Sequence, residues 1–412
     1  MILFTSSANI FSNGLTIIAG FFVVKWLMPY ELGYFNTFTV VTGYIVLAHI
    51  GIPVALNRDL PYLMGKQNKS EALKLASTSK YWAFVISTII GLIGVLISLY
   101  FLLTKDYQLA SGIFVIVAQT WQGIFVTKYL KVLYRTNKDF NKLAVVSVLV
   151  SIISFISIYL IYLYGFYGLC LRAVVIVIVD FALTWFWRPI KVNMLWDKLT
   201  FKNLLNVGFP IFLVNNLYSK WPLVERTLIL LLLGTNSLGL FTVAFMIGNA
   251  FKIFSNSMSS VLYPTFMIEW GKGKAVGQIF KKNMIKPMIV ILSLFVIITP
   301  LAWHFMPLVI SSFLPNYTDV ISTSQWMLIT GAFGLLNIFG IFYNVINVQK
   351  KRLVMYLSGV AGWSIVLIVS YGLKSISLEI FPKALLTGYM IMFLITIKFL
   401  RTNWETTQAT IQ

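Results

Sequence analysis

The sequence predicts an all-α polytopic membrane protein: twelve transmembrane helices in two parallel six-helix repeats around a central cavity. Three observations carry that expectation. Of 412 residues, 59% are hydrophobic and only 11% charged, against about 25% charged in an ordinary soluble domain. Apolar runs close to the roughly 20 residues needed to cross a hydrocarbon core of about 30 Å recur from end to end, where a β-barrel would show short alternating segments. Finally, a shift of 206 residues lays the chain on itself, with "ELGYF" (31–35) on "SLGLF" (237–241), Gly65-Lys66 on Gly271-Lys272, and Asn9 on Asn215.

The spans are expected at about 2–24, 33–55, 81–103, 108–127, 143–163, 168–187, 208–232, 239–261, 288–310, 321–346, 353–373 and 380–400. No basic residue precedes Lys25, so the first run lacks the n-region of a secretory signal and is expected to be a retained span. The loops 56–80, 128–142, 188–207, 262–287 and 347–352, with Lys398 and the tail from 401, hold 24 of the 32 Lys and Arg residues. The opposite side holds Lys25, Lys105, Lys374 and Lys383, and Arg172, Lys220, Arg226 and Lys252 fall within spans. Positive loops stay in the cytoplasm, so both termini are expected there. The same distribution accounts for the net charge of +20 and argues against a nucleic-acid partner. "NKSEALKLASTSKY" and "AVGQIFKKNMIK" mix apolar and basic residues at helical spacing, as helices lying at an anionic leaflet do.

The repeat divides the chain into 1–206 and 207–412, each with six spans. An even number of spans preserves orientation, so the halves are expected to be parallel. Transporters built from such repeats bind substrate between them. A single cysteine, Cys170, excludes an internal disulfide framework. His49 and His304 have no cysteine or carboxylate at ligand spacing, so no metal is expected.

The stretch "NNLYSKWPLVERTLILLLLG" (215–234) puts Lys220, Glu225 and Arg226 beside Asn215 and Asn216 in a membrane span. Each charge at the bilayer centre costs about 2.5–3.5 kcal/mol on insertion scales, so together they are expected to face protein or a watery cavity. Asn216 and Lys220, four apart, share a face. In the first span Asn9, Asn13 and Thr16 form a polar stripe, which predicts a cavity lined by the first and seventh spans. Plain helix–helix adhesion through small polar residues would explain the serines better than Lys220. Arg172 and Asp180 lie two turns apart in the sixth span, and Lys252 sits in the middle of the eighth. Four embedded cations against two carboxylates predict an anionic guest, and a phosphate or diphosphate suits Lys and Arg. The competing expectation is internal pairing, Glu225 with Lys220 or Arg226 and Asp180 with Arg172.

"VERTLILLLLGTNSLGLFTVAFMIG" (224–248) resembles the seventh and eighth spans of polysaccharide transporters in the multidrug/oligosaccharidyl-lipid/polysaccharide exporter superfamily. The shared elements are Glu225-Arg226, Leu233-Gly234, Leu238-Gly239, Phe241 and Ala244. Glu225 stands where Asp is more usual. "WLMPYELGYFNTFTV" (26–40), "GIPVALNRDLPYLMGK" (51–66) and "LVISSFLPNYTDVISTSQWMLI" (308–329) continue the likeness, with Pro315 where Gly is common. The resemblance implies a MATE-like pair of bundles working by alternating access. It implies a flippase for undecaprenyl-diphosphate-linked oligosaccharides, such as O-antigen units, in a bacterial inner membrane. Membrane lipids and the polysaccharide polymerase with its chain-length machinery would be its partners. From the insertion cost and charge balance above, Lys220, Arg226, Arg172 and Lys252 are the expected diphosphate contacts, Glu225 and Asp180 the expected ion-coupling sites, and Asn9, Asn13, Asn215 and Asn216 the expected polar lining. The twelve-span length suits O-unit flippases better than fourteen-span lipid II flippases.

A cation-coupled drug exporter of the same superfamily would want an acidic cavity, and the first span has no acid. A membrane glycosyltransferase or polymerase would want a large outer loop or an acid cluster, and neither is present. "GKGKAVG" has the wrong order for a phosphate-binding loop, so neither ATP nor any cofactor is expected.

Overall fold

The computed structural model describes residues 2–346 and 348–407, with the side chains of 2–6, 9, 214, 215, 217, 218, 257, 260, 261 and 264 outside that description. Among these residues the chain is helical without a strand. In hydrocarbon only helices and closed barrels satisfy every backbone polar group, so this is the architecture the composition requires.

The first compact unit ends at Leu238. It contains α1 (Ile2–Trp26), α2 (Pro29–Ile45), α3 (Ile52–Gly65), α4 (Lys69–Leu103) and α5 (Tyr107–Trp121). A π-helical stretch, Gln122–Leu130, joins α5 to α6 (Lys131–Thr136). Next come α7 (Phe140–Ile156), α8 (Tyr159–Phe186), α9 (Lys198–Ser219) and the start of α10 (Trp221–Gly271). The second unit, from Gly239, holds the rest of α10, α11 (Val276–Asn283), α12 (Ile285–Ser293), α13 (Thr299–Phe313) and α14 (Ile321–Gly334). It closes with α15 (Ile341–Val345), α16 (Gln349–Gly372) and α17 (Ile380–Thr402).

Eight described helices are long and apolar enough to cross a membrane, and the pair Pro29–His49 and Ile52–Gly65, bent by 52°, makes a ninth. Two shorter apolar helices, Ile10–Trp26 and Phe140–Ile156, stand at the first and fifth expected spans. Trp221–Asn256 overlaps two expected spans, 208–232 and 239–261, because Gly234 breaks α10 with φ 84° and ψ 179°. Among the described residues the helices thus fall at the twelve expected spans, in the expected order.

The helices run further than the expected spans. α4 has 35 residues, about 52 Å at 1.5 Å per residue, against a core of about 30 Å. The expected interfacial helix at 68–81 is therefore the first part of α4, continuous with the membrane span. Hydropathy marks where side chains become polar, and a helix does not have to stop there. The second expected interfacial helix is separate, as α11, but it packs on protein. Gly277 N donates to Trp404 O at 2.8 Å, and Phe280 meets Trp404 and Phe339. Beside it, Glu269 pairs with Lys274 and with Lys282 at 3.0 Å. These hydrogen bonds hold its carboxyl at about 2. A depressed carboxyl stabilises the fold above the unfolded value near 4.3, and this contribution fades as pH falls towards 2.

Two close approaches organise the first unit. Gly51 and Gly208 meet backbone to backbone: a Cβ on Gly208 would lie 2.2 Å from the Gly51 carbonyl oxygen. This contact lets α9 lie on α3, with Ile52, Ala55 and Leu204 buried at the crossing. On α4 the alanines 72, 76 and 83 admit Ile124, Phe125 and Tyr129 of the π-helical stretch. Small residues allow such approach in a membrane, where no hydrophobic drive between helices exists.

The 206-residue shift carries backbone features as well. α3 ends at Gly65 and α10 at Gly271. Positive φ follows at Gln67 and Gly273. The gap between α1 and α2 at residues 27–28 corresponds to the break at Gly234.

Candidate functional site

Three interrupted helices meet within the first unit. Span two breaks at Ile50–Gly51, where φ is 44° and 85°. Span four turns π-helical at Gln122–Leu130, and a Cβ on Gly123 would lie 2.7 Å from a Val46 methyl. Span seven breaks at Lys220, just ahead of Pro222, which lacks the N–H that would continue the ladder. π-bulges and broken helices free backbone groups and tend to mark functional positions.

Lys220 sits on this break, half-buried, and its Nζ donates to Gly43 O at 3.1 Å. It forms no ion pair among the described residues, and Lys128 stands within electrostatic range. Lys128 is exposed on the π-helical stretch and interacts with buried His49 as well. His49 accepts the Gly51 N–H at Nδ1 (3.0 Å), so Nε2 carries the proton of the neutral ring.

Six residues on from Lys220, Arg226 donates to Asn36 Oδ1 at 2.8 Å and Thr39 Oγ1 at 2.9 Å, tying α10 to α2. Tyr44 and Thr227 share a hydroxyl contact of 2.8 Å beside it. Glu225 is buried (2% exposed), in no ion pair among the described residues, and its Oε1 has no hydrogen-bond partner. The expected pairing of Glu225 with Lys220 or Arg226 is therefore absent. Successive helical residues point about 100° apart, and both cations are engaged by α2.

The expected pairing of Asp180 with Arg172 is also corrected. Asp180 Oδ2 accepts Lys131 Nζ and Gln122 Nε2, both at 2.9 Å. Arg172 instead donates to Ser154 O (3.1 Å) and Oγ (2.7 Å) on α7. The eight-residue spacing put the two on one side of α8, but the π-helical stretch and the start of α6 deliver Gln122 and Lys131 to Asp180, while α7 delivers Ser154 to Arg172. Lys252, in the second unit, is exposed and forms no ion pair among the described residues. Asn216 spends its amide on its own helix, donating to Phe212 O at 2.8 Å. Asn13 is half-buried on α1. The side chains of Asn9 and Asn215 lie outside the described residues.

Lys128 and Lys131 are the residues that sequence reasoning missed, since both were assigned to a cytoplasmic loop. The hydropathy run ends near 127, while the helix continues to Thr136. The only warning was the aromatic pattern through "QGIFVTKYL", which remains fit for burial.

Helical spans carrying embedded charges define a multi-pass membrane protein. A solved inward-facing multidrug-resistance MATE transporter of the MOP superfamily matches at TM-score 0.74 and 17% identity, over 94% of this chain and 93% of that one. An inward-closed lipid II flippase, MurJ, matches at 0.71 and 15%, over 97% and 88%. An outward-facing MATE transporter of the same superfamily matches at 0.61 and 16%, over 97% and 94%. A comparison with curated proteins finds no match. Residues 2–268 match the model of the polysaccharide biosynthesis protein family, and the chain belongs to that family.

Proposed function

We propose that this protein is a flippase, moving an undecaprenyl-diphosphate-linked oligosaccharide from the cytoplasmic to the periplasmic leaflet of a bacterial inner membrane by alternating access. The observation that carries this reading is the cationic group at the broken helices. Lys220 and Lys128 stand near each other in membrane spans with no carboxylate among the described residues to neutralise either. Charges persist at that depth where they pair or work, and a diphosphate would neutralise both. The family match supports a polysaccharide precursor as the cargo. Arg226 and Arg172 remain candidate phosphate contacts, but their hydrogen bonds to Asn36, Thr39 and Ser154 also suit them to fixing helices. Lys252, in the second unit, remains a further candidate phosphate contact. Glu225, buried without a partner for Oε1, is the candidate proton site. Asp180, held by Lys131 and Gln122, would serve as its fixed counterpart. Asn9, Asn13, Asn215 and Asn216 would offer polar contacts along the path. Residues 1–206 and 207–412 act in this reading as the two repeats, a view supported by the helix ends at Gly65 and Gly271. Membrane lipids and a polymerase with its chain-length machinery would be partners.

Purified protein in liposomes should translocate a prenyl-diphosphate oligosaccharide, measured by accessibility of the sugar to an external lectin. Transport of cationic dyes with no oligosaccharide translocation would replace this reading with a drug exporter. The direction requires both termini and the basic loops in the cytoplasm. A cysteine at Asn316 should then label from outside in a Cys170→Ser background, and one at Lys272 only after permeabilisation. The reverse pattern would overturn the orientation.

A further inference from the structure

A cavity of about 760 Å³ opens between α4, α5 and α8. Ala110, Val115 and Cys170 are buried at its floor, and the exposed side chains of Leu99, Leu102, Phe114 and Leu171 form its walls. On α4 its residues run from Val95 to Leu102 at i, i+3, i+4 and i+7, one helical face over about 10 Å. The groove is thus elongated along the helix axes, at the end of these spans joined by the turn between Leu103 and Tyr107.

The polar groups of Ser98, Ser111 and Cys170 are already used, and the remaining ones, on Tyr107 and Tyr167, are exposed at its walls. Ser98 Oγ donates to Ala110 O at 2.8 Å, Ser111 Oγ to Gln108 O at 3.0 Å, and Cys170 interacts with Ser111. A sugar or charged guest would find no partners on the floor, so the groove suits an occupant that makes no hydrogen bonds. Every lining residue lies in a candidate membrane span, and α4 exposes Leu92, Ile93, Leu96 and Ile97 beside it. The medium at this face is hydrocarbon. Tyr107, exposed at the start of α5, marks the headgroup level where amphipathic rings collect.

We infer that this groove is a lipid site that seats one acyl chain of a bilayer phospholipid, with the headgroup beside the 103–107 turn. The acyl chain is preferred to a prenyl tail because phospholipid is the hydrocarbon present at this face in bulk. The site stands independently of the flippase reading.

The test uses the full chain in phospholipid vesicles containing a phospholipid with a photoreactive acyl-chain terminus. Crosslinks should concentrate in 95–115 and 167–174, by about threefold or more over the equally exposed 365–369 of α16. Leu99→Trp and Leu171→Trp, which fill the groove from its exposed walls, should each remove that excess. Cys170 supplies a second measurement as the only cysteine: in detergent, added phospholipid should slow its reaction with N-ethylmaleimide, and Leu171→Trp should abolish the slowing. Uniform crosslinking, or maleimide reaction indifferent to phospholipid, would overturn the site. A photoreactive polyprenyl phosphate labelling these segments in preference to the phospholipid probe would overturn the choice of occupant.

Discussion

Lys220→Ala should abolish surface-glycan assembly in a complementation assay while the protein still reaches the membrane at normal levels. A charge-assisted hydrogen bond contributes about 1.5–3 kcal/mol, so losing one to a phosphate should weaken substrate binding roughly 10- to 150-fold. The Gly43 contact uses one of three ammonium donors, leaving two for a guest. Lys220→Arg keeps the charge but changes its reach, and should retain part of the activity. Lys128→Ala should weaken export by a comparable factor. The double variant should fall short of the product of the two, because groups that share a ligand are not additive. Glu225→Gln should leave substrate binding in place and alter the dependence on the ion gradient. If Lys220→Ala inserts well and supports full export, its charge serves only to hold Gly43.

Gly208→Val should lower the thermal unfolding temperature of the purified protein more than most single substitutions. The new Cβ would fall 2.2 Å from the Gly51 carbonyl oxygen, and that obstacle is backbone, so no rotamer relieves it. Gly51 cannot withdraw easily, since its φ of 85° is already the left-handed turn that bends span two. Overpacking costs about 1–3 kcal/mol. At about 2–4 °C per kcal/mol for a unit of this size, the loss is roughly 2–12 °C. Gly14→Ala is the control, with nothing within 4 Å of its Cβ, and should be neutral. An unchanged transition for Gly208→Val would mean that α3 and α9 do not cross at these glycines. Export should fall with stability here, whereas Lys220→Ala should lose export without it.

The membrane class, the order of twelve spans and the family were legible because they depend on sums over many residues. Bilayer thickness imposes a length on every span, and insertion cost excludes charge from most of them. Local signals were legible too. The Gly65 and Gly271 correspondence fell on two helix ends. The pairing of individual charges was not legible. Asp180 takes Lys131, and Arg172 takes Ser154, because neighbouring helices deliver those atoms to within 3.1 Å. Spacing along α8 carries no information about which helix packs on which face. Lys128 comes within electrostatic range of Lys220 only because a π-helical stretch continues past the end of a hydropathy run. Composition and periodicity thus sufficed to establish what solvent this chain folds in and how often it crosses. The partner of each buried charge depended on the helix crossings, which small residues such as Gly51 and Gly208 permit and which no local pattern encodes.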